Sequence, residues 1–175
     1  MKLGERDRDV TKIKSLLPFV GSVDSRDANG RTPLMNAVLN SNVQEVISLV
    51  NRGADPSLED NKGRNLLHLA ALHVDSNIID VIHTRMQNIE SKSAGGMTPI
   101  MFAALGGQLQ AVEWFFQKGA IVTCKDRRGW NVLHYAAQCG NPDTVALILT
   151  RVPNIESKTA DGLTPLLVCA RHGKL

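Results

Sequence analysis

The stretch SAGGMTPIMFAA at residues 93–104 decides the fold, because a second version of it, TADGLTPLLVCA, occupies residues 159–170. Each version directly follows the same five letters, NIESK, at residues 88–92 and 154–158, so the two copies lie 66 residues apart. A chain that repeats itself at a fixed distance builds one structural unit several times and stacks the copies. The sequence therefore predicts an array of similar units.

A shorter period of 33 residues lies within this longer one. Glycines recur at that spacing, at Gly30, Gly63, Gly96, Gly129 and Gly162. Two residues after each glycine comes a threonine or an asparagine: Thr32, Asn65, Thr98, Asn131 and Thr164. Five residues further along stands a small residue: Ala37, Ala70, Ala103, Ala136 and Cys169. Because five registers agree at several positions, the repeat is a far stronger signal than a lone glycine motif.

Each unit is predicted to be a turn followed by two helices. The glycine permits a tight turn with φ > 0. Thr-Pro then provides a helix cap and a proline at the first helical position, and Asn65 or Asn131 caps a helix equally well. A second helix is indicated by apolar residues at helical spacing, such as Val46, Leu49 and Val50. We expect Gly53 and Gly119 to end two of these second helices in the left-handed conformation.

Alternate units differ in a regular way. The second and fourth carry asparagine at the cap, and they have Met86 and Val152 where the others have Gly53 and Gly119. A duplicated pair of units explains this alternation, and NIESK is then the structural connection that follows an even unit. A non-glycine residue is strained in a left-handed conformation, so the shape of the turns at Met86 and Val152 stays open.

Composition narrows the possible classes of protein. The net charge of +3 is too small to indicate nucleic-acid binding by itself. No apolar run approaches the ~20 residues that span a bilayer, and the polar N-terminus does not resemble a secretory signal. Cys124, Cys139 and Cys169 are odd in number and lack metal-ligand spacing. We therefore expect reduced, intracellular thiols, with no metal and no cofactor.

The repeated stretches resemble the ankyrin repeat over nearly the whole chain. They are DANGRTPLMNAV, DNKGRNLLHLAA, SAGGMTPIMFAA, DRRGWNVLHYAA and TADGLTPLLVCA, together with NRGADP and QKGAIV at the ends of second helices. The resemblance implies an all-α solenoid of helix-turn-helix units with projecting β-turn fingers. The units form one array: a half-repeat at 1–26, full repeats at 27–59, 60–92, 93–125 and 126–158, and a half-repeat at 159–175. In this family a histidine at the positions of His68 and His134 makes structural hydrogen bonds in the turn region.

Both ends of the array are incomplete in this register. Residues 7–17 match a second helix and residues 164–172 match a first helix. One interpretation is a fragment of a longer repeat protein. The alternative is end-to-end self-association, in which the apolar side of one end covers the exposed face at the other: Val10, Ile13, Leu16 and Leu17 against Leu166, Leu167 and Ala170. We expect a monomer.

The resemblance also implies a binding surface, since partners of the family contact the finger residues that flank the glycine and the exposed end of the first helix. Carried over residue by residue, the partner-binding set is Arg31, Lys62, Arg64, His73, Met97, Arg127, Arg128, Trp130, Leu163 and Arg171. The mapped positions hold several cations and a single acid, Asp161. Arginine suits bidentate binding of carboxylates, and an exposed tryptophan beside arginine is typical of an interaction hot spot.

These features predict a protein partner with an acidic segment. The segment would span the ~20 Å between the Lys62–Arg64 finger and the Arg127–Arg128 finger, with Met97 and Leu163 receiving its apolar side chains. Under the opposite interpretation the charges are merely solvated and Trp130 packs on a neighbouring finger.

We expect a non-catalytic protein–protein interaction scaffold that does not insert into membranes and is intracellular, in the cytoplasm or the nucleus. No phosphate-binding loop, metal-ligand spacing or nucleophile beside a base indicates an enzyme. Two alternatives stay open: a regulatory ankyrin segment of a larger kinase or channel, and a binder of nucleic acid or phosphorylated ligands. The second is disfavoured, because few basic residues cluster and Trp130 is the single candidate stacking platform.

Overall fold

The computed structural model describes residues 22–73, 76–86 and 88–174. In these residues the chain forms nine helices and no strand. The first helices of successive units are α1 (Pro33–Leu39), α3 (Leu66–His73), α5 (Pro99–Leu105), α7 (Val132–Cys139) and α9 (Pro165–Arg171). The second helices are α2 (Val43–Asn51), α4 (Ser76–His83), α6 (Leu109–Gln117) and α8 (Pro142–Leu149). The expected all-α array of helix-turn-helix units is confirmed for these residues.

The predicted caps account for most helix starts. Thr32 Oγ1 accepts the Met35 N–H at 3.3 Å, and Asn131 Oδ1 accepts the His134 N–H at 3.2 Å. Asn141, the cap of α8, likewise accepts the Thr144 N–H at 3.1 Å, ahead of Pro142 at the first helical position. The hydroxyl of Thr98 is the exception, since it makes no side-chain cap bond and α5 begins at Pro99 without one.

The helices stack in two rows. Each of α1, α3, α5 and α7 packs on the second helix that follows it, and neighbouring first helices pack on one another. The second helices form the other row. Small side chains make the close approach of the first helices possible, because Ala71, Ala103, Ala104 and Ala136 are all 0% exposed. The larger side chains of Phe115 and Tyr135 fill the core.

Two kinds of turn end the second helices. Gly53 (φ 86°) and Gly119 (φ 81°) take the left-handed conformation, as predicted. Met86 and Val152 do not, since Ser41 is the one non-glycine residue with positive φ in the described part of the chain. In the even units the helical bonding continues instead: the Met86 N–H donates to the Ile82 carbonyl at 3.0 Å, and the Val152 N–H donates to that of Ile148 at 3.1 Å. The turns at Met86 and Val152 are therefore unstrained.

The two ends of the chain differ in what the structure shows. The second helix predicted at residues 7–17 lies outside the described residues, whereas the first helix predicted at 164–172 is present as α9. Beside α9 lies an open apolar groove of about 250 Å³ that Leu166 helps to line. Leu166 and Leu167 of this helix are 63% and 50% exposed. End-to-end association stays a prediction, because half of the contact it needs falls on residues 1–21. Among the helices that the structure describes, none is long and apolar enough to cross a membrane.

Candidate partner-binding surface

Each finger is a short hairpin whose shape is held by the first residue of its turn. In the second finger the Asp60 N–H donates to the Arg64 carbonyl and the Gly63 N–H donates to the Asp60 carbonyl, both at 2.9 Å. The Asp60 carboxylate adds two bonds, since its Oδ1 accepts the N–H groups of Lys62 and Arg64 at 2.9 Å each. Asp27 and Asp126 do the same in the first and fourth fingers.

The third and fifth fingers use an uncharged residue for this purpose. Ser93 Oγ accepts the Met97 N–H at 3.3 Å, and Thr159 Oγ1 accepts the Leu163 N–H at 3.1 Å. The hairpin therefore needs an oxygen acceptor at this position and does not need a negative charge. Sequence reasoning missed this position, although it recurs three residues before every repeated glycine.

Backbone hydrogen bonds join the fingers into one ridge. The N–H groups of Asn61, Ala94, Arg127 and Ala160 donate to carbonyls of the preceding finger, at 3.0, 3.0, 3.1 and 2.9 Å. The glycines allow this approach. A Cβ on Gly63 would lie 2.7 Å from the Ala94 nitrogen, and Gly63 also has φ 65°. The strict glycine spacing thus serves the stacking of fingers as well as the turn within each one.

Two buried histidines tie a first helix to the following finger. The Asn65 N–H donates to His68 Nδ1 at 3.2 Å, which leaves Nε2 to donate to the Met97 carbonyl at 3.1 Å. His134 repeats this arrangement with Asn131 and the Leu163 carbonyl. Burial lowers the pKa of His68 from 6.5 to about 4, and it lowers the pKa of His134 as well. Both histidines have the structural hydrogen bonds that the resemblance implied.

The Arg64 guanidinium is bound within its own finger. Its Nε and Nη2 donate to Asp60 Oδ2 at 2.8 and 2.5 Å, and its side chain is only 13% exposed. Burial pushes the pKa of Asp60 upward, but hydrogen bonds from Arg64 outweigh it and hold the pKa below its ordinary 3.8. A partner carboxylate would have to compete with Asp60 for this guanidinium.

Trp130 does not match its prediction, because the exposed tryptophan expected on the fourth finger is 9% exposed and belongs to the core. Its ring lies 5.2 Å from that of Tyr135 and 5.8 Å from that of His134, measured between centroids. The Arg128 guanidinium covers the ring at 4.8 Å. The physical reason is that Trp130 directly precedes the cap of α7, where an inward side chain contacts the first turn of the helix.

Arg128 joins this cluster to a buried carboxylate. Its Nη2 donates to the Tyr135 hydroxyl at 3.0 Å, and that hydroxyl donates to Asp126 Oδ2 at 2.6 Å. Burial, together with the bond to Asp126, raises the pKa of Tyr135 to about 12. Although the Arg128 side chain is 62% exposed, part of its hydrogen-bonding capacity is therefore used inside the molecule.

The structure distributes the other predicted residues between the surface and the scaffold. Lys62, Arg127 and Arg171 are exposed, whereas Arg31, Met97 and Leu163 are half-buried. Met97 and Leu163 also present their carbonyls to the histidines. His73 is the last residue of α3, and its side chain lies outside what the structure describes.

A second basic feature escaped the sequence reasoning. Lys92, Lys125 and Lys158 are exposed, lie 33 residues apart, and each immediately precedes the first residue of a finger turn. The Lys125 ammonium donates to the Lys158 carbonyl at 3.0 Å, so this side chain extends toward the next finger. These lysines could have been found from the sequence, because they recur every 33 residues at the position just before the finger turn.

Within residues 22–73, 76–86 and 88–174, no group of three or more His, Cys, Asp or Glu side chains could hold a metal ion. Each of the three cysteines is a free thiol.

Comparison with known proteins supports the fold assignment. A family described as ankyrin repeats (3 copies) matches residues 5–92 and 74–159. The chain is 32% identical over 165 residues to Protein glp-1 of Caenorhabditis elegans, covering 86% of this chain and 13% of that protein. It is 31% identical over 151 residues to inversin of Canis lupus familiaris, with 85% and 14% covered. It is 29% identical over 171 residues to the nuclear factor NF-kappa-B p105 subunit of Gallus gallus, with 95% and 17% covered. The chain thus spans less than a fifth of the length of these relatives.

Proposed function

The chain belongs to the ankyrin-repeat family, and from that premise we propose a non-catalytic scaffold whose finger ridge binds an acidic segment of a protein partner. Ankyrin repeats are generally protein–protein interaction modules, and the family is typically non-catalytic. We also propose an intracellular location, in the cytoplasm or the nucleus. Its support is that Cys124, Cys139 and Cys169 are unpaired thiols.

The observation that carries the proposal is the separation of charges along the ridge. The aspartates of the second and fourth fingers turn inward, with side chains 1% and 2% exposed. Lys62 and Arg127 stay exposed on those same fingers. These two carboxylates are occupied by contacts with backbone N–H groups and arginine side chains. The surface of the two fingers is therefore left with a positive charge that the net charge of the whole chain does not reveal.

Rigidity of the ridge adds to this support. The finger-to-finger hydrogen bonds and the buried histidines fix the backbone that carries the exposed cations before any partner arrives. A preorganised surface loses little conformational entropy on binding, so that modest electrostatic contacts are sufficient for a specific interaction. Exposed positive charge also speeds the encounter with an acidic partner.

The test is a quantitative pull-down from cell lysate with three baits. The first is the wild-type chain. The second carries Lys62→Glu and Arg127→Glu, which reverse exposed charges without touching the Asp60 and Asp126 networks. The third, the matched control, carries Arg85→Glu and Lys118→Glu, two exposed cations at the ends of second helices. Circular dichroism confirms that each bait is folded.

We expect both the wild type and the control to capture proteins with acidic segments. The variant with Lys62→Glu and Arg127→Glu should not retain these proteins, and added salt should release them from the other two baits. If all three baits capture the same proteins to the same extent, the ridge is not the binding site. Capture of nucleic acid by the wild type, with a steep dependence on salt, would favour the alternative class of ligand.

A further inference from the structure

The lysines that precede the finger turns form a line along the stacking direction. In this register the five units carry Arg26, Glu59, Lys92, Lys125 and Lys158. The last three are exposed and follow one another without interruption, whereas Glu59 breaks the line toward the N-terminal side. We call Lys92, Lys125 and Lys158 the lysine column.

The residue that follows each lysine of the column adds no exposed negative charge. Lys92 and Lys158 directly precede Ser93 and Thr159, the two uncharged residues that replace aspartate at the start of a finger. Lys125 precedes Asp126, but that carboxylate is buried and bonded to Tyr135 and to backbone N–H groups. None of these three positions therefore places an exposed carboxylate directly after a lysine of the column.

A second set of cations at the same spacing has a structural role and serves as a comparison for the lysine column. Arg85, Lys118 and Arg151 also recur every 33 residues, at the ends of second helices. Positive charge there is stabilised by the helix dipole. Lys118 and Arg151 also lie 5.4 and 5.7 Å from the rings of Trp114 and Phe116. The lysine column follows no helix end, so the helix dipole does not account for it. Lys125 does make one structural contact, since its ammonium donates to the Lys158 carbonyl at 3.0 Å, as the Arg26 guanidinium donates to the Glu59 carbonyl at 2.7 Å.

The spacing of the column fits an extended peptide. Neighbouring units in a helical stack are separated by a packing distance of ~10 Å, and an extended chain advances ~3.3 Å per residue. One finger therefore corresponds to about three residues of an extended partner. Building on the proposed function, we propose that the acidic segment lies along the stack with carboxylates at every third residue, one on each of Lys92, Lys125 and Lys158.

The middle finger provides an additional contact. Lys125 and Arg127 are both exposed and lie on either side of the buried Asp126 in the sequence. The central carboxylate of the partner is thus held by two cations. The segment covers the last three fingers and stops before Glu59, whose charge repels it.

The test compares designed heptapeptides of equal composition by fluorescence anisotropy with the 175-residue chain. One peptide carries aspartate at its first, fourth and seventh positions, and the other carries its three aspartates in succession. Each is titrated with the wild type, with Lys92→Ala/Lys125→Ala/Lys158→Ala, and with the control Arg85→Ala/Lys118→Ala/Arg151→Ala, which loses the same charge. A fourth protein carries Lys92→Glu/Lys125→Glu/Lys158→Glu and is titrated with a heptapeptide that has lysine at the first, fourth and seventh positions.

We expect the spaced peptide to bind the wild type and the control alike, and to bind the column variant about tenfold more weakly, because exposed ion pairs each contribute little. The clustered peptide should bind the wild type several-fold more weakly than the spaced one, and the charge-reversed protein should select the spaced lysine peptide. If both acidic peptides bind equally and the column and control variants lose equal affinity, the column is not the site, while acidic binding itself stands. If neither acidic peptide binds the wild type, the proposed function fails together with this inference.

Discussion

The histidines of the even units show how much one side chain contributes at the residue scale. His68 is 0% exposed and spans from its own cap residue to the Met97 carbonyl in the next finger. Nδ1 lies 3.2 Å from the Asn65 nitrogen, whose N–H donates to it in the neutral ring, and 2.7 Å from Asn65 Oδ1. Burial of the ring favours this neutral form and lowers its pKa, so the stability of the arrangement depends on pH.

We expect the free energy of unfolding to fall as the pH drops from 6.5 toward 4. The pKa of His68 is about 4 in the folded chain, against 6.5 in the unfolded one. Between these values the unfolded state binds more protons, so acid favours unfolding, by about 2 kcal/mol at pH 5 for His68. The aspartates Asp27, Asp55 and Asp60 have pKa values lowered from 3.8 and lose their contribution at lower pH, outside this window.

Urea denaturation between pH 7 and pH 5 measures this loss. His68→Gln should be less stable than the wild type at pH 7 but should depend less on pH. His172→Gln, at an exposed position, is the control and should follow the wild-type curve. Equal pH dependence in all three proteins would show that His68 titrates normally.

The roles of residues whose contacts lie within a few positions along the chain could be predicted from the sequence. The caps at Thr32 and Asn131 and the left-handed glycines depend on local backbone geometry, and the structure confirms them. The burial of Trp130 could not be predicted, since it depends on how Tyr135 and Arg128 converge once α7 has formed. Local rules place the elements, whereas the accessibility of a finger side chain depends on its packing.

At the element scale, the odd and even units end their second helices in two different ways. Gly53 leaves the helix through a left-handed residue that no L side chain adopts easily. Val152 continues the helical bonding and places its side chain in the core, 8% exposed, while the Thr150 hydroxyl donates to the Leu147 carbonyl at 2.6 Å. The repeat signal marked this alternation, but its geometry depends on hydrogen bonds that a sequence pattern does not contain.

We expect the odd turns to require glycine and the even turns to require a side chain at this position. Gly53→Ala should cost about 1 kcal/mol from its left-handed φ alone, since a Cβ there meets nothing within 4 Å. Val152→Gly should cost about 1–2 kcal/mol, because it removes buried apolar surface and adds freedom to the unfolded chain. Denaturant titration of both variants gives the two values, and a change near zero in either would show that the turns are interchangeable.

At the scale of the whole molecule, each unit is stabilised by its contacts with the units beside it. Among the described helices, α5 packs between α3 and α7, whereas α9 packs against α7 alone among the first helices. Such a stack is close to one-dimensional, so the effect of a substitution depends on its position along the row. The boundaries of the repeats stay a prediction, because a periodic array can be divided at any point of its period.

We expect amide hydrogen exchange to separate end effects from central ones. Val168 in α9 is 1% exposed, and Val168→Ala should speed exchange in α9 while leaving α3 and α5 protected. Ala104 in α5 is 0% exposed, and Ala104→Leu overfills the contact with both neighbours, at a cost of about 1–3 kcal/mol. It should speed exchange in α3, α5 and α7 together. Identical exchange patterns in the two variants would show that the array unfolds as one unit.

The bonds between fingers have a consequence for how this chain can change over generations. They run from main-chain N–H to main-chain carbonyl, at Asn61, Ala94, Arg127 and Ala160. Peptide groups are the same for nearly every amino acid, so these hydrogen bonds do not depend on the tip residues that flank the glycines, although the glycines themselves are needed for the close approach. Mutation can therefore alter the tip letters, and with them the choice of partner, while the join between neighbouring units is inherited intact.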